Sequence, residues 1–307
     1  MSPIILISDR RERFGFYYSA ESRVGKGAMG EVFRGWRLDN PAEKIAVKRV
    51  YPKHARHTVI RERAKYEASL SINHPNLIKM LGYSELNDGS IYVISEFVQG
   101  NTIDNFVKSV NNVNRVEIIS RMMCMVLDAL TCLHSKRIWH RDIKPSNIMV
   151  ENGCSVKVMD LGIAKSEGIS FGTIDKIGTY PYAPPEQINS QQGEVNGTSD
   201  LYSLGVTFYT LLTGKNPFDG GSEIDIMQKQ IEMLLPANHL VPAPLFKVLR
   251  KATAKKQSNR YQTAEEFKRA VIEAVFNRQV FPEWRLVLFI AAGIIVLIIL
   301  IISIFYA

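Results

Sequence analysis

At 307 residues the chain can form one large domain or two lobes that share a cleft. A hydrophobic content of 46% with 22% charged residues excludes wholesale disorder. The formal net charge of +8 admits nucleic acid, an anionic membrane surface or acidic substrates, but no Lys/Arg cluster is interleaved with aromatics, so no nucleic-acid partner is expected.

Residues 1–15 read as an extended lead-in, and residues 16–94 as short β segments with one helix. Gly25-Lys26-Gly27-Ala28-Met29-Gly30-Glu31-Val32 punctuates the first of these segments, and Val32 to Trp36 continues as a strand rather than opening a helix. Ile45-Ala46-Val47 and Ile91-Tyr92-Val93-Ile94 are apolar runs of strand length. Between them, Val59 to Ile72 is charged and Ala-rich and reads as a helix that ends before His74-Pro75. From about residue 100 the pattern turns helical. Val116, Ile119, Met123, Val126, Leu127, Leu130 and Leu133 recur at helical spacing and lead directly into a polar loop at His140. Leu201, Leu204, Phe208, Leu211 and Leu212 repeat that pattern in a helix closed by Gly214. Cys124, Cys132 and Cys154 have no metal-ligand spacing and form no even-numbered framework, so buried thiols in a reducing compartment are expected.

The loop His140-Arg141-Asp142-Ile143-Lys144-Pro145-Ser146-Asn147 sets a carboxylate, an amine and a carboxamide within six positions. Asp142 can accept a proton from an attacking hydroxyl, Lys144 can neutralise charge on a moving phosphoryl group, and Asn147 offers a hard oxygen to magnesium. The glycines at 25, 27 and 30 let a hairpin backbone approach phosphates without Cβ clashes.

These segments together resemble the eukaryotic-like, Hanks-type Ser/Thr protein kinases over residues from about 16 to 275, with the motifs in the family's order. His140 to Asn147 is similar to the catalytic loop, Gly25 to Val32 to the glycine-rich loop, and Ile45-Ala46-Val47-Lys48 to the strand whose lysine holds the α- and β-phosphates. Val158-Met159-Asp160-Leu161-Gly162 resembles the metal-binding Asp-Phe-Gly segment, with leucine for phenylalanine. The resemblance implies an α+β, bilobal fold: an antiparallel sheet lobe with one helix over about 16–98, and a helical lobe over about 99–275. It implies ATP and Mg2+ between the lobes, with Asp142, Lys144 and Lys48 catalytic and Asn147 and Asp160 on the metal. The nucleotide pocket it implies contains Val24, Gly25, Gly27, Gly30, Val32, Ala46, Lys48, Glu67, Glu96 and Val98. Ser95, just before the adenine-contacting segment, is small enough to open a back pocket. Glu67 is the expected partner of Lys48, although it lies seven residues before His74 where nine is common, and Glu62 is its rival.

Further along, Gly178 to Glu186 resembles the segment that closes the activation loop, with Pro184 where the family usually has Ala or Ser. Glu186 is expected to pair with Arg260 and brace the substrate-binding floor, and Asp200 to hydrogen-bond the catalytic-loop backbone. Lys144, two residues after Asp142, and Thr179 fit Ser/Thr rather than Tyr acceptors on protein substrates. Arg141 is expected to receive a phosphate on Ser166, Ser170 or Thr173, with Thr173 favoured. Self-phosphorylation is one partner reaction the resemblance allows. A pseudokinase acting as a membrane-tethered binding module is the alternative from another class, supported only by the Asp-Leu-Gly leucine and the glutamate spacing.

Leu286 to Ala307 is an uncharged run of 22 residues, roughly 33 Å as a helix and long enough for a bilayer core. Trp284 and Tyr306 sit at its edges, and Lys268, Arg269, Arg278 and Arg285 precede it. The positive-inside rule therefore predicts a single-pass protein whose long soluble part, joined through a short link at 276–285, is cytoplasmic. The run ends the sequence, so no sizeable sensor beyond the membrane is expected. Dimerisation through this helix is a further partner reaction that the reading allows, although Leu297 stands four residues after Gly293 and so there is no GxxxG support for it.

Overall fold

The computed structural model describes residues 4–7, 15–27, 30–153, 155–161 and 180–276. Six strands form an antiparallel sheet: β1 (Ile4–Ile7), β2 (Gly15–Lys26), β3 (Gly30–Arg37), β4 (Lys44–Val50), β5 (Met80–Glu85) and β6 (Ile91–Glu96). Their order across the sheet is β1-β2-β3-β4-β6-β5. Period-two alternation divides this sheet into two faces. Ile45 and Val47 of β4 point into one core with Leu6, Phe16, Tyr18, Phe33, Tyr92 and Ile94. Ala46 and Lys48, one register step away, fall on the other face.

The expected lead-in is therefore partly a strand. Ile4 lies opposite Tyr18 and Ile7 opposite Gly15, Leu6 is fully buried, and Ile5 faces outward. Four apolar residues are too short a run to announce a strand by themselves, and it is the paired edge of β2 that gives them a place to add.

Two helices follow β4: α1 (Pro52–Ala55) and α2 (Thr58–Ser69). The sequence pattern extends the second to residue 72, but it stops when Leu70 turns extended at ψ 116°. Ile72 is still buried outside the helix, so its apolar character comes from the core and not from helical periodicity. Ile60, Ala64 and Ala68 of α2 share a core with Val50, Ile91 and Val93 of the sheet.

The second lobe begins with β7 (Gly100–Thr102) and α3 (Ile103–Lys108), and continues through α4 (Arg115–His134), β8 (Ile148–Glu151) and β9 (Ser155–Val158). After residue 180 come α5 (Pro185–Ile188), α6 (Gly197–Thr213), α7 (Glu223–Glu232), α8 (Ala243–Ala252) and α9 (Ala264–Val275). Strands β7, β8 and β9 form a small antiparallel sheet in that order. The apolar stripe expected of α4 is buried from Ile119 to Leu133. Helix α6 is buried along most of its length. An Asn196–Ser199 capping box starts it, and Gly214 ends it in the left-handed region at φ 77°. Cys124 is buried and Cys132 partly so, both as free thiols.

The two lobes are stitched together where the segment before β5 meets β9. Ile78 N–H donates to Val158 O (3.0 Å) and Val158 N–H to Asn76 O (2.8 Å). The buried Asn76 amide adds a bond to Val156 O at 2.8 Å. No helix among the described residues is long and apolar enough to cross a membrane; residues 286–307 lie outside them.

Candidate active site

The polar loop 140–147 connects α4 to β8, and its shape is set from below by one carboxylate. Asp200, fully buried on α6, accepts from His140 N–H at 2.9 Å and from Arg141 N–H at 2.7 Å. His134 Nε2 approaches the same carboxylate at 2.8 Å. These bonds hold Arg141 at φ 63°, a left-handed backbone that a non-glycine residue keeps only when its surroundings impose it. The His140 ring is buried between the loop and the Asp160 segment: Nε2 donates to Met159 O at 2.8 Å, and Nδ1 accepts from Asp142 N–H at 3.3 Å.

Asp142 is thereby presented with its two oxygens in different settings. Oδ2 accepts from Asn147 Nδ2 at 2.8 Å and faces Lys144 Nζ at 2.9 Å. Oδ1 is buried and has no hydrogen-bond partner among the described residues. A buried carboxylate oxygen left without a donor is costly, so it marks a place where a partner from outside the chain belongs. Asn147 also donates Nδ2 to Asp142 O at 2.8 Å, which commits its nitrogen and frees its amide oxygen.

Asp160 follows β9 and is tied to the loop by Met159 N–H donating to Asn147 O at 2.8 Å. It sits at φ 44°, again left-handed, and turns its carboxylate back to Lys48 Nζ at 2.7 Å. Burial works against charge on Lys48, but Asp160, Glu67 and Asp142 outweigh it and raise the ammonium. Lys48 in turn holds the Asp160 carboxyl below its ordinary range, with help from His140 and Lys144. Burial pushes Glu67 up to about 7 against the pull of Lys48, and Asp160 adds repulsion. Lys48, Asp142, Lys144 and Asp160 therefore share one electrostatic site.

The structure separates the two candidate glutamates. Glu62 is exposed and pairs with Lys65 at 3.4 Å, whereas Glu67 faces the field of Lys48 and Asp160. Among the described residues Glu67 makes no ion pair with Lys48, which instead holds Asp160.

The glycine loop joins β2 to β3, with Gly25 opposite Val32. Its glycines are not equivalent. A Cβ on Gly30 would lie 2.1 Å from Arg49 O, so the sheet itself excludes one. Among the described residues, a Cβ on Gly25 or Gly27 would meet nothing nearer than 3.8 Å. No described residue requires those two glycines to be bare, whereas a phosphate brought against the hairpin would. Val24 is exposed, and Val32 is the cross-strand neighbour of Lys48. Ala46 pairs with Ser95 across β4 and β6, Ser95 also lies beside Met80 of β5, and Val98 is buried where the chain leaves the sheet. The Glu96 carboxylate is committed elsewhere, accepting from Lys157 Nζ at 2.8 Å and Lys79 N–H at 2.9 Å.

Beside the loop, Glu186 and Arg260 form the expected pair, bidentate at 2.7 and 2.8 Å with both side chains fully buried. Ser199 Oγ and Gln257 Nε2 also donate to Glu186, at 2.6 and 3.1 Å, so the buried charges are satisfied. Gln187 Nε2 reaches Arg141 O at 3.2 Å and joins α5 to the loop, a contact with no signature in the sequence. Residues 162–179, with Ser166, Ser170, Thr173 and Thr179, lie outside the described residues.

Among the described residues no group of three or more His, Cys, Asp or Glu could hold a metal. A site of Asn147 and Asp160 alone suits magnesium, which takes one or two protein ligands and completes its shell with water and phosphate oxygens.

Residues 18–277 match the family profile described as protein kinase domain. Among curated proteins the chain is similar to the probable serine/threonine-protein kinase PknB of Lactococcus lactis, 33% identical over 264 residues that cover 82% of this chain. It is also similar to the serine/threonine-protein kinase PrkC of Bacillus subtilis, 31% identical over 272 residues and 85% of this chain. The chain spans 41% of the length of either relative. Among solved structures, the PknI kinase domain of Mycobacterium tuberculosis superposes with a TM-score of 0.65 at 24% identity, covering 85% of this chain and 96% of that one. At that identity the likeness concerns the fold.

The Asp200 network has a pH signature. Burial alone would raise this carboxyl, but the bonds from His134 and the Arg141 amide, together with the charge field of His140, hold it below its ordinary 3.8. A lowered carboxyl contributes stability that is complete above the unfolded value and is lost as pH falls through the folded one. The thermal midpoint should therefore begin to drop as pH falls below about 5 and go on dropping below the ordinary carboxylate range, with Glu186 contributing in the same direction. Asp200→Asn should start from a lower midpoint and fall less steeply. Parallel curves for the two proteins would contradict this assignment.

Proposed function

The chain belongs to the protein kinase family, whose domain it carries over residues 18–277, and from that membership we propose that it transfers the γ-phosphoryl group of ATP to Ser or Thr hydroxyls of protein substrates. The observation that carries this reading is the unpartnered, buried Oδ1 of Asp142. An acceptor hydroxyl donating to that oxygen would satisfy it, be aimed at the phosphorus, and pass its proton to the carboxylate as the new O–P bond forms. Lys144, held at 2.9 Å on the other oxygen, is close enough to neutralise charge on the transferring group.

Lys48 and the backbone at Gly25 and Gly27 would grip the nucleotide phosphates, with Val24, Val32, Ala46 and Val98 against the base and Gly30 securing the hairpin to the sheet. Asn147 Oδ1 and the Asp160 carboxylate would hold Mg2+, which supplies charge neutralisation on the phosphates when bound. Glu67 would take up Lys48 when Asp160 turns to the metal. Glu96 enters this reading through its backbone, since its carboxylate is bonded to Lys157. The catalytic unit would run to about residue 275 and begin at β1, because Leu6 belongs to the sheet's core. Retention of Lys48, Asp142, Asn147 and Asp160 in one site weighs against a pseudokinase.

Asp142→Asn keeps the bond geometry but removes the proton acceptor. Radiolabelled transfer to the protein itself or to a generic basic protein should fall by roughly a hundredfold or more. Equal labelling by wild type and variant would sink the enzyme reading and favour a binding module.

The glycines give a second test. Gly27→Ala should leave the thermal midpoint within about 2 °C and raise the ATP KM by roughly tenfold, about 1.4 kcal/mol. Gly30→Ala should instead destabilise the protein by about 1–3 kcal/mol, since its Cβ would meet Arg49 O. An unchanged ATP KM in Gly27→Ala would remove the phosphate role of the hairpin.

We further propose that residues 286–307 anchor the protein in a bilayer, with the kinase unit cytoplasmic, because the run is uncharged and long enough and is preceded by basic residues. The full chain should stay in the membrane fraction through alkaline carbonate washing, while a chain ending at residue 285 should be released. Release of both would refute the anchor.

A further inference from the structure

The segment Tyr180-Pro181-Tyr182-Ala183-Pro184-Pro185 contains three prolines, so three of its six backbone nitrogens have no hydrogen to donate. A stretch of this composition must be anchored through its carbonyls, by donors that come from elsewhere in the fold. The structure supplies them from two side chains. Gln230, fully buried on α7, donates Nε2 to Tyr180 O at 3.1 Å and to Pro181 O at 2.6 Å. Asn216, also buried, donates Nδ2 to Pro181 O at 2.9 Å.

The orientation of the Gln230 amide is itself fixed. Lys255 Nζ donates to Tyr202 Oη at 2.9 Å, which leaves the single Tyr202 hydroxyl hydrogen for Gln230 Oε1 at 2.6 Å. With its oxygen taken by a donor, the amide can only turn its N–H groups toward the two carbonyls. Lys255 also donates to Gln230 O at 2.6 Å and sits over the Phe218 and Tyr202 rings, at 4.5 and 5.3 Å, so the end of α7 is secured from both sides. Asn216 is equally committed, its Oδ1 accepting from Phe218 N–H at 2.8 Å.

What this clamp holds adjoins the site of phosphoryl transfer. The turn at 180–182 leads within three residues to α5, where Glu186 is locked to Arg260 and Gln187 touches Arg141 O, one residue from Asp142. On the kinase reading, a protein substrate that presents its hydroxyl to Asp142 Oδ1 brings its neighbouring backbone toward α5 and the turn that precedes it, because Gln187 joins α5 to the residue before Asp142. Resting on the kinase reading above, we infer that Gln230, with Asn216, is a positioning residue for the protein acceptor: it sets the height and direction of the 180–182 backbone on which the acceptor chain lies. It touches neither nucleotide nor reacting atoms.

The test uses the full chain with Gln230→Met, which keeps the volume and removes both donors, and Asn216→Asp, which keeps the bond to Phe218 N–H and loses the one to Pro181. Initial rates are measured against a generic basic protein and, separately, against ATP. Each variant should raise the acceptor KM by roughly fivefold to tenfold while the ATP KM stays within about twofold. Deuterium uptake should rise in the peptide that spans residue 182 and not in peptides from α2. A joint rise of both KM values with a general gain in uptake would mean a merely structural role, and an unchanged acceptor KM would overturn the inference outright. If the wild type moves no phosphate, the kinase reading has failed and this role goes with it. If the wild type is active and the variants match it, the kinase reading stands and this inference alone is wrong.

Discussion

A buried carboxylate under the catalytic loop carries more of this structure than any group that would meet substrate. Asp200 receives two consecutive backbone amides, from His140 and Arg141, and so dictates the left-handed turn at Arg141. From that turn follow the side of the loop on which Asp142 emerges and the burial of the His140 ring, which links the loop to Met159. The Asp160 carboxylate is reached through the same chain of bonds. Two distant stretches of sequence are registered against each other by a group that does no chemistry, with its cost of burial offset by three donors.

Above that base, the arrangement of charge is economical in groups. One ammonium, Lys48, lies in the field of three carboxylates, and the pair it makes at 2.7 Å is with Asp160 rather than Glu67. Burial raises Glu67 to about 7, whereas Lys48 holds Asp160 below its ordinary range. Glu67 and Asp160 thus compete for a single cation, and Asp160 holds it in this arrangement.

How much of this was legible in the sequence follows from what chemistry demands. Lys48, Asp142, Lys144, Asn147 and Asp160 were picked out by residue type and spacing, and the structure brings them to one place; the roles given to them there are proposals. The Glu186–Arg260 pair and the Asp200 contacts do no chemistry and could be read only through the family resemblance; the structure shows both. The choice between Glu62 and Glu67 could not be made from spacing to His74, although helix geometry contains the answer. Five residues rotate a helix by about 140°, so only one of the two can face the cleft. β1 was missed because four apolar residues carry no strand signal without the edge they pair with. Gln230 and Gln187 were missed for a deeper reason: a carbonyl needs only some donor in reach, and nothing in the chemistry prescribes where along the chain that donor must stand.

The edge strand also alters where this protein can be cut. The family profile begins at residue 18, and a chain trimmed to that point would lose both Leu6 and Phe16, two of the eight fully enclosed side chains on that face of the sheet. It would also remove Gly15–Tyr17 of β2 together with β1, and so leave the Trp36–Arg37 end of β3 without the strand that now covers it, open to whichever strand arrived first. Shortened in this way, the domain would be prone to self-association for a reason unrelated to its catalytic loop.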